Sequence, residues 1–409
     1  MFNYGVLLNR IILFQLSTVL LYYMGPVHYT NPSISSLVLP LVLYYLIMLK
    51  IGGVIGAKYY FKGKSGPLKL SNFVRLSIWV TVLLVPITLF YRAGDLTSAR
   101  DLGELYNSSA ERRESNISIF EYMRMFFGYI LFGFFPLVLV SWGFLGRNLK
   151  ILVVIGVGLN LILAITTGVN KYIFDYIIIF VAWQYLNARK SMFKTIGGWR
   201  IIIVTIICLT FAGFFFTQGQ LTRSGSGAVS GQNPLINSYS DYNVDDGKML
   251  VFYSSLSSYL TQGYRALDLS LKEPFIFTWG VGNSSFLSRQ ADRLIDADLT
   301  NSSYPARIEK YGWDRYNQWS SFYSWWASDL THIGVGFLMF GIGFYYSAIG
   351  NTLREKIDAA SIILISYIII ALTYLSANNQ IMQSGESLVG FFALFLPYVI
   401  KRKLLRVKK

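Results

Sequence analysis

Aromatic rings and amide-bearing side chains are concentrated in one polar segment, residues 218–330. Five of the nine tryptophans fall there, and Trp313 and Trp319 stand beside Asn317 and Gln318. The C–H faces of a sugar stack on such rings while amides and carboxylates bond its hydroxyls, so the pattern is typical of a sugar-binding cleft. The alternative is that the rings form the core of the segment itself. Six side chains are candidate sugar contacts: Tyr264, Trp279, Asn283, Trp313, Trp319 and Trp325.

Within this segment, the stretch YLTQGYRALDLSLKEPFIFTWGVGNS at 259–284 begins with the period of a helix. Leucines between Leu256 and Leu271 form one narrow stripe, whereas Arg265 and Asp268 fall on the opposite face. Pro274 ends the helix, and the Gly-Val-Gly-Asn that follows is typical of a turn. Such a helix lies along a membrane surface or docks on the spans beneath it. The sequence therefore predicts a surface helix with its leucines facing down and Arg265 facing away.

The composition indicates that lipid is the main solvent of the chain. Of all residues, 54% are hydrophobic and 14% are charged, against roughly 25% charged in an average soluble domain. Several apolar runs are long enough to cross a hydrocarbon core of about 30 Å. The candidate spans are residues 7–24, 34–50, 73–91, 119–142, 151–168, 170–187, 200–217, 331–350, 358–376 and 384–400. The predicted fold is an all-α polytopic membrane protein with about ten transmembrane helices and a large, partly helical loop.

Basic residues are distributed unevenly among the predicted loops. The chain has 36 lysines and arginines, 21 aspartates and glutamates, and a net charge of +15. With the N-terminus inside, the inner loops and the C-terminal tail hold most of the bases and only two acids, Glu355 and Asp358. This follows the positive-inside rule and predicts cytoplasmic termini with residues 218–330 in the periplasm. Because orientation in the membrane accounts for the charge, nucleic acid is not a predicted partner.

The predicted layout has three parts. Residues 1–217 hold seven spans and a small periplasmic loop at 92–118, residues 218–330 form the large periplasmic loop, and residues 331–409 hold three spans and a basic tail. A Gly-rich Lys-Ser/Thr loop for phosphates does not occur, which argues against ATP or GTP. The single cysteine, Cys208, excludes a disulfide framework and a cysteine metal site. Since no metal-ligand spacing occurs either, we predict neither a metal nor a cofactor.

Four short motifs carry a resemblance to a known family. They are YLTQGY at 259–264, WGVGNS at 279–284, YPAR at 304–307 and WWASDL at 325–330. Together with about ten spans, a large outer loop late in the chain and basic inner loops, they resemble the Wzy-type oligosaccharide repeat-unit polymerases, which build O-antigen and capsular chains. The resemblance covers the whole plan of the chain. It implies a GT-C-like architecture in the bacterial inner membrane.

The resemblance also implies a glycosyltransferase activity. Two undecaprenyl-diphosphate-linked oligosaccharides meet at the periplasmic face, and the growing glycan leaves its lipid diphosphate to join the non-reducing end of the incoming unit. The implied partners are these lipid-linked oligosaccharides, the bilayer and a chain-length regulator protein of the same pathway. Some members of the family carry an Arg-x10-Gly motif in an outer loop. Arg92 and Gly103 match it, whereas no arginine of residues 218–330 does.

Cations for the donor diphosphate are one requirement of this chemistry. Arginine is suited to it because its planar fork binds phosphate oxygens bidentately without titrating. Arg124 stands within an apolar run beside Glu121, where a charge is costly and therefore indicates a role. The alternative for the others is salt-bridging on a solvated face, which contributes only about 0–1 kcal/mol. The candidate diphosphate ligands are Arg92, Arg124, Arg265, Arg289, Arg293 and Arg315, and Arg307 lies at the same predicted surface.

A base for the acceptor hydroxyl is the second requirement. Asp329 follows Trp325 and Trp326 at the start of a predicted span, where a partly desolvated carboxylate is suited to accept a proton. The alternative is an N-cap, since aspartate at a helix start accepts backbone N–H bonds. His332, one of two histidines, is the rival candidate for the catalytic base or a donor to the diphosphate.

Two other functions stay open at this point. An O-antigen ligase shares the donor chemistry but transfers the glycan to the lipid A core. A flippase or transporter of lipid-linked oligosaccharides requires charged residues along a central cavity in the spans. The predicted spans carry few charges, which argues against the flippase.

Overall fold

The structure, a computed structural model, describes residues 4–27, 29, 35–63, 70–98, 119–166, 171–187, 213, 248–295, 298–315 and 318–407. Within these ranges the regular secondary structure is helical apart from one pair of short strands. The elements before the large loop are α1 (Tyr4–Met24), α2 (Val38–Gly56), β1 (Tyr59–Lys62), α3 (Leu70–Ser98), α4 (Ile119–Phe126), α5 (Gly128–Ser141), a 3-10 turn (Trp142–Phe144), α6 (Arg147–Thr166) and α7 (Lys171–Asn187). Those that follow are α8 (Lys248–Ser270), α9 (Ser285–Ile295), α10 (Leu299–Ser302), α11 (Tyr304–Arg307), a 3-10 turn (Ile308–Tyr311), α12 (Phe322–Glu355), α13 (Ala359–Thr373), α14 (Gly385–Lys401) and β2 (Lys403–Arg406).

Five of these helices are long and apolar enough to cross a membrane: α1, α2, α3 over Leu70–Tyr91, α6 and α12. The pair α4 and α5, bent by 53°, makes a sixth if it is one span, and α13 is a shorter apolar helix. The described part of the chain is thus an all-α membrane protein. Each predicted span overlaps a helix except 200–217, which lies outside the described residues apart from Gly213. The count of ten spans stays a prediction.

Segments that are distant in sequence meet at one end of the helix bundle, here called the basic end. β1 and β2 pair antiparallel, with Tyr59 opposite Arg406 and Lys62 opposite Lys403. Arg402 forms an ion pair with Asp358 at 3.0 Å. The N-terminus of α1 reaches the same end, because the Tyr346 hydroxyl of α12 donates to a carbonyl in its first turn. The N-terminus, the strand after α2, the segment between α12 and α13 and the C-terminal strand thus lie together; the compartment they face stays a prediction.

The helices α2 and α12 are in close contact along their length, and small residues make this approach possible. Gly52 and Gly56 are spaced four apart on α2, and a Cβ at either position would overlap the backbone carbonyl of Phe340 or Phe344. Small residues at this spacing are how helices in lipid bring their backbones together, since lipid supplies no hydrophobic drive between them. The α2–α12 contact is therefore set by glycine rather than by bulky apolar groups.

Replacing Gly52 with leucine is expected to lower the unfolding temperature in detergent, because overpacking costs roughly 1–3 kcal/mol. The matched control is Gly341→Leu on α12, where a Cβ meets nothing within 4 Å. That control is expected to be neutral or slightly stabilising because leucine is the better helix former. Equal unfolding temperatures for the two variants would contradict a glycine-dependent contact.

The helix predicted from Leu256 onward is α8, and it ends at Ser270, before Pro274. It docks on the bundle, which is one of the two predicted positions. The predicted exposed face is wrong: every residue from Thr261 to Ser270 is buried, and Arg265 and Asp268 are each 0% exposed. Two described residues between α1 and α2 contact this face. Ser35 donates its N–H to Asp268 at 3.0 Å, and Tyr29 bonds Thr261.

Candidate functional site

The helix α12 consists of two helical pieces that meet at Thr331. Thr331 has φ 64° and ψ 164°, a conformation that is costly for a β-branched residue. Its hydroxyl accepts the Gly334 N–H at 3.2 Å, which is the bond of an N-cap. Ser321 caps the first piece in the same way, accepting the Ser324 N–H. His332 is therefore the first residue of the helix that spans the membrane, and its backbone begins at the end of the bundle where the large loop packs.

Asp329, just before this break, holds the turn that follows α8. One carboxylate oxygen accepts from the Thr278 hydroxyl at 2.6 Å and the Gly280 N–H at 2.8 Å. The other accepts from the backbone N–H and the side-chain amide of Asn283, both at 2.8 Å. The turn needs this support because Trp279 and Gly280 both have positive φ. Asp329 thus holds residues 278–283 in place. Its role as a catalytic base stays a prediction.

The turn presents a row of exposed apolar side chains, Phe275, Ile276, Phe277 and Trp279, here called the apolar tip. Trp279 is 75% exposed, and its ring lies 5.4 Å from that of Phe277. Thr278 is the buried anchor between them, since its side chain bonds α12 at Asp329. One and two turns further along α12, Ile333 and Phe337 are 69% and 67% exposed. The spanning part of α12 thus also has an exposed apolar face near its start.

His332 and Tyr304 form an aromatic pair beside this turn, with ring centroids 5.1 Å apart and ring planes 31° apart. The Tyr304 N–H donates to the Ser328 hydroxyl at 3.0 Å, which ties α11 to α12. Neither ring nitrogen of His332 has a hydrogen bond within the described part of the chain. The Ser270 backbone approaches the ring without meeting hydrogen-bond geometry. His332 is therefore held by packing, and both of its ring nitrogens are buried.

Glu273, which follows α8 and its turn, is paired with two cations, of which Arg307 lies beside the Tyr304 ring. The Arg307 guanidinium lies 4.8 Å from the Tyr304 ring centroid and donates to the Pro274 carbonyl at 2.6 Å. Lys310 forms an ion pair with Glu273 at 2.8 Å. Burial opposes ionisation of Glu273, but bonds from Lys310 and Tyr311 and the nearby charges outweigh it and lower the pKa of Glu273. The group has two cations and one carboxylate, and it lies directly before the apolar tip.

Acid is expected to weaken this corner of the loop through Glu273. A carboxyl whose folded pKa is lowered stabilises the fold above its unfolded value, near 4.5, and loses that contribution as pH falls through the folded value. Glu273→Gln should therefore lower the unfolding temperature at neutral pH, and the difference from wild type should shrink on acidification. The matched control is Glu309→Gln, which removes an exposed partner of Arg315 and should cost at most about 1 kcal/mol. A Glu273→Gln difference that does not change with pH would contradict the prediction.

The predicted ligands Arg265 and Tyr264 lie inside the bundle rather than at its surface. Arg265 forms an ion pair with Asp268 at 2.6 Å, with both side chains 0% exposed, and its guanidinium lies 5.9 Å from the Tyr29 ring centroid. Tyr264 is also buried, and its hydroxyl bonds Thr18 of α1 at 2.9 Å. Both residues join α8 to the start of the chain.

Two further predicted arginines form ion pairs away from the His332–Tyr304 pair. Arg124 on α4 bonds Glu386 at the start of α14, with nitrogen–oxygen distances of 2.8 and 2.9 Å. Arg315 bonds Glu309 at 3.0 Å and the Asn301 amide oxygen at 3.1 Å. Each therefore links neighbouring elements of the same end of the molecule.

The remaining candidates are spread over the loop. Trp313 is buried in a small core with Ala266, Leu269 and Ile308. A ring in the core of the segment was the alternative to a sugar contact. Trp319 and Trp325 are half-buried, Asn283 is buried under the turn, Arg289 is half-buried and Arg293 is exposed on α9. The side chain of Arg92 lies outside the described residues. Of the predicted set, the structure thus brings together Asp329, Asn283, Trp279 and His332.

Sequence reasoning missed the part played by Glu273, Thr278 and Tyr304. Tyr304 was quoted only as part of a motif, although its spacing of three from Arg307 places both on one face of a helical turn. No local pattern marks Thr278, whose bond to Asp329 spans 51 positions. Long-range polar contacts of this kind leave no periodicity to detect.

No family model, no curated protein and no solved structure matches this chain. Within the described residues, no group of three or more histidine, cysteine, aspartate or glutamate side chains is arranged to hold a metal ion.

Proposed function

We propose that this chain is a membrane glycosyltransferase that polymerises undecaprenyl-diphosphate-linked oligosaccharide units. The growing glycan is transferred from its lipid diphosphate to the non-reducing end of the incoming unit, on the side of the membrane where residues 248–330 lie. That side is the periplasmic face of a bacterial inner membrane.

One observation carries the proposal: cations, aromatic rings and a lipid-compatible surface adjoin at one end of α12. Arg307 and His332 flank the Tyr304 ring, and the apolar tip begins one residue after Pro274, to which Arg307 is bonded. A lipid-linked sugar needs all three, since its chain is apolar, its diphosphate is anionic and its sugars stack on rings. The first backbone N–H groups of the spanning piece of α12 add positive potential beside His332.

In the proposed reaction, Arg307 and Lys310 bind the diphosphate of the donor. The acceptor hydroxyl oxygen attacks the anomeric carbon of the donor sugar, and the bond from that carbon to the diphosphate oxygen breaks. His332 takes the proton of the acceptor hydroxyl on a ring nitrogen, and the lipid diphosphate leaves as the anion.

His332 is preferred to Asp329 as the base because of their hydrogen bonds. Both oxygens of Asp329 already accept two bonds each from the turn, whereas the His332 nitrogens accept none in the described residues. In this assignment Asp329 positions Trp279 and Asn283, which stay the proposed sugar contacts together with Tyr304.

A deletion strain tests the proposal against the ligase. Loss of a polymerase leaves lipid A capped with a single repeat unit, and a plasmid copy with wild-type sequence restores the ladder of longer chains. Loss of all capped lipid A would instead identify a ligase. Unchanged chain lengths would contradict both. Accumulation of undecaprenyl-diphosphate-linked repeat units on the cytoplasmic side would identify a flippase.

A further inference from the structure

A cavity of ≈ 200 Å³ lies at the basic end, opposite the proposed catalytic site. It lies between the first turns of α1, the last turns of α2 and the last turns of α12, with Gly5, Lys50 and Arg354 among its lining residues. Its volume is below the roughly 300–1,000 Å³ of a drug-sized site, which suits a small polar group rather than a whole substrate.

The lining of this cavity favours an anion. Lys50 and Arg354 supply positive charge, and Ser347 and Asn351 supply a hydroxyl and an amide. Among the described lining residues there is no carboxylate. Lys50 bonds the Asn9 side-chain oxygen, and Arg354 bonds the Asn351 oxygen at 3.3 Å. Oxygens of a phosphate would accept from both cations with charge-assisted bonds.

An apolar stripe leads from the middle of α2 to the mouth of the cavity. Ile47, Ile51 and Val54 are 57%, 43% and 52% exposed, and Val54 also lines the cavity. Their spacing of four and three, with Lys50 among them, places all four residues on one face of the helix. A bound molecule can therefore place hydrocarbon along this face while its anionic group enters the cavity.

We propose that this cavity binds the phosphate of an anionic phospholipid, with the acyl chains against the Ile47–Val54 face of α2. Basic pockets between spanning helices on the cytoplasmic side are where such headgroups bind. Lys50 and Arg354 bind the phosphate oxygens, and Asn351 and Ser347 bond the remaining oxygens. The proposal does not depend on the proposed reaction, because the cavity is at the other end of the bundle.

The test uses delipidated, purified full-length chain, with bound lipid counted by native mass spectrometry during titration. The probes are phosphatidylglycerol, phosphatidylcholine and water-soluble glycerol 3-phosphate. Lys50→Gln is expected to weaken phosphatidylglycerol binding about tenfold, the value of one charge-assisted bond. Gly5→Leu should do the same without a change of charge, because a Cβ there meets nothing within 4 Å and the longer side chain enters the cavity. Lys62→Gln, an exposed residue of β1 at the same end, is the matched control and should bind as wild type does.

We expect the wild-type chain to bind phosphatidylglycerol in preference to phosphatidylcholine. We also expect both cavity variants to weaken the binding of phosphatidylglycerol. Equal weakening by Lys62→Gln would show a diffuse charge effect and overturn the site. Saturation by glycerol 3-phosphate at the same concentrations would show a soluble phosphate ligand and overturn the lipid assignment. Binding that neither cavity variant changes would place the lipid elsewhere.

Discussion

Replacing His332 with glutamine is expected to slow chain growth by about 10²–10⁴-fold, the usual contribution of a general base. Glutamine keeps a planar polar side chain at the start of the spanning piece of α12, but it does not accept a proton at neutral pH. The measurement is the rate of chain elongation by purified protein with saturating lipid-linked units. Because the ring nitrogens of His332 have no hydrogen bond in the described residues to lose, the unfolding temperature should stay close to that of wild type.

The matched control is Ile333→Leu, the next residue of α12, whose side chain is exposed. It should elongate chains at the wild-type rate. A His332→Gln protein that folds normally and elongates within twofold of wild type would remove His332 from the reaction and return the base to Asp329.

Replacing Asp329 with alanine is expected to release the turn at residues 278–283. The substitution removes the acceptor for two backbone N–H groups, the Thr278 hydroxyl and the Asn283 amide. The Thr278 hydroxyl and the Asn283 amide keep the Ser328 and Gly280 carbonyls as acceptors. The two backbone N–H groups lose their partner, at about 1–3 kcal/mol each. Amide hydrogen exchange at Gly280 and Asn283 should rise strongly, because the apolar tip no longer rests on α12.

Asp329→Asn separates the positioning role from proton transfer. Asparagine keeps one acceptor oxygen but turns an amide group toward existing donors, so exchange in the turn should rise less than in the alanine variant. If Asp329 only holds the turn in place, the elongation rate should fall in the two variants in proportion to the rise in hydrogen exchange of the turn. The pH dependence of the remaining activity should then match that of wild type. A protected turn combined with abolished turnover in Asp329→Asn would instead identify Asp329 as the catalytic base.

Local periodicity predicted most of the long helices among the described residues, but not the strand pair β1–β2 or the break of α12 at Thr331. The C-terminal end of α8 and the turn before Asn283 were predicted, because Pro274 and the glycines act on their own neighbours. The start of α8 at Lys248 lies before the predicted start at Leu256. The apolar runs likewise coincide with helices wherever residues are described. The glycine contact of α2 with α12 was not predicted, since a Gly-x3-Gly spacing alone does not identify the facing helix.

Contacts between distant segments account for the errors. Arg265 and Asp268 have the spacing of an exposed polar face, yet Tyr29 contacts Arg265 and Ser35 bonds Asp268. A buried ion pair three residues apart cannot be told from a solvated one by spacing. The turn held by Asp329 and the ring pair of Tyr304 with His332 also join separate elements. Four residues of the candidate site, Asp329, Asn283, Trp279 and His332, were therefore predicted by residue type. How they are arranged was seen only in the structure.

The most direct test of the proposed function is chain growth in a purified system. Full-length chain in liposomes is supplied with undecaprenyl-diphosphate-linked repeat units alone, without nucleotide, and products are resolved by length with and without a chelator. The account predicts a ladder of longer lipid-linked glycans and free lipid diphosphate in both conditions, and no ladder with His332→Gln. Products that never exceed one repeat unit, from folded protein with both lipid substrates present, would contradict it.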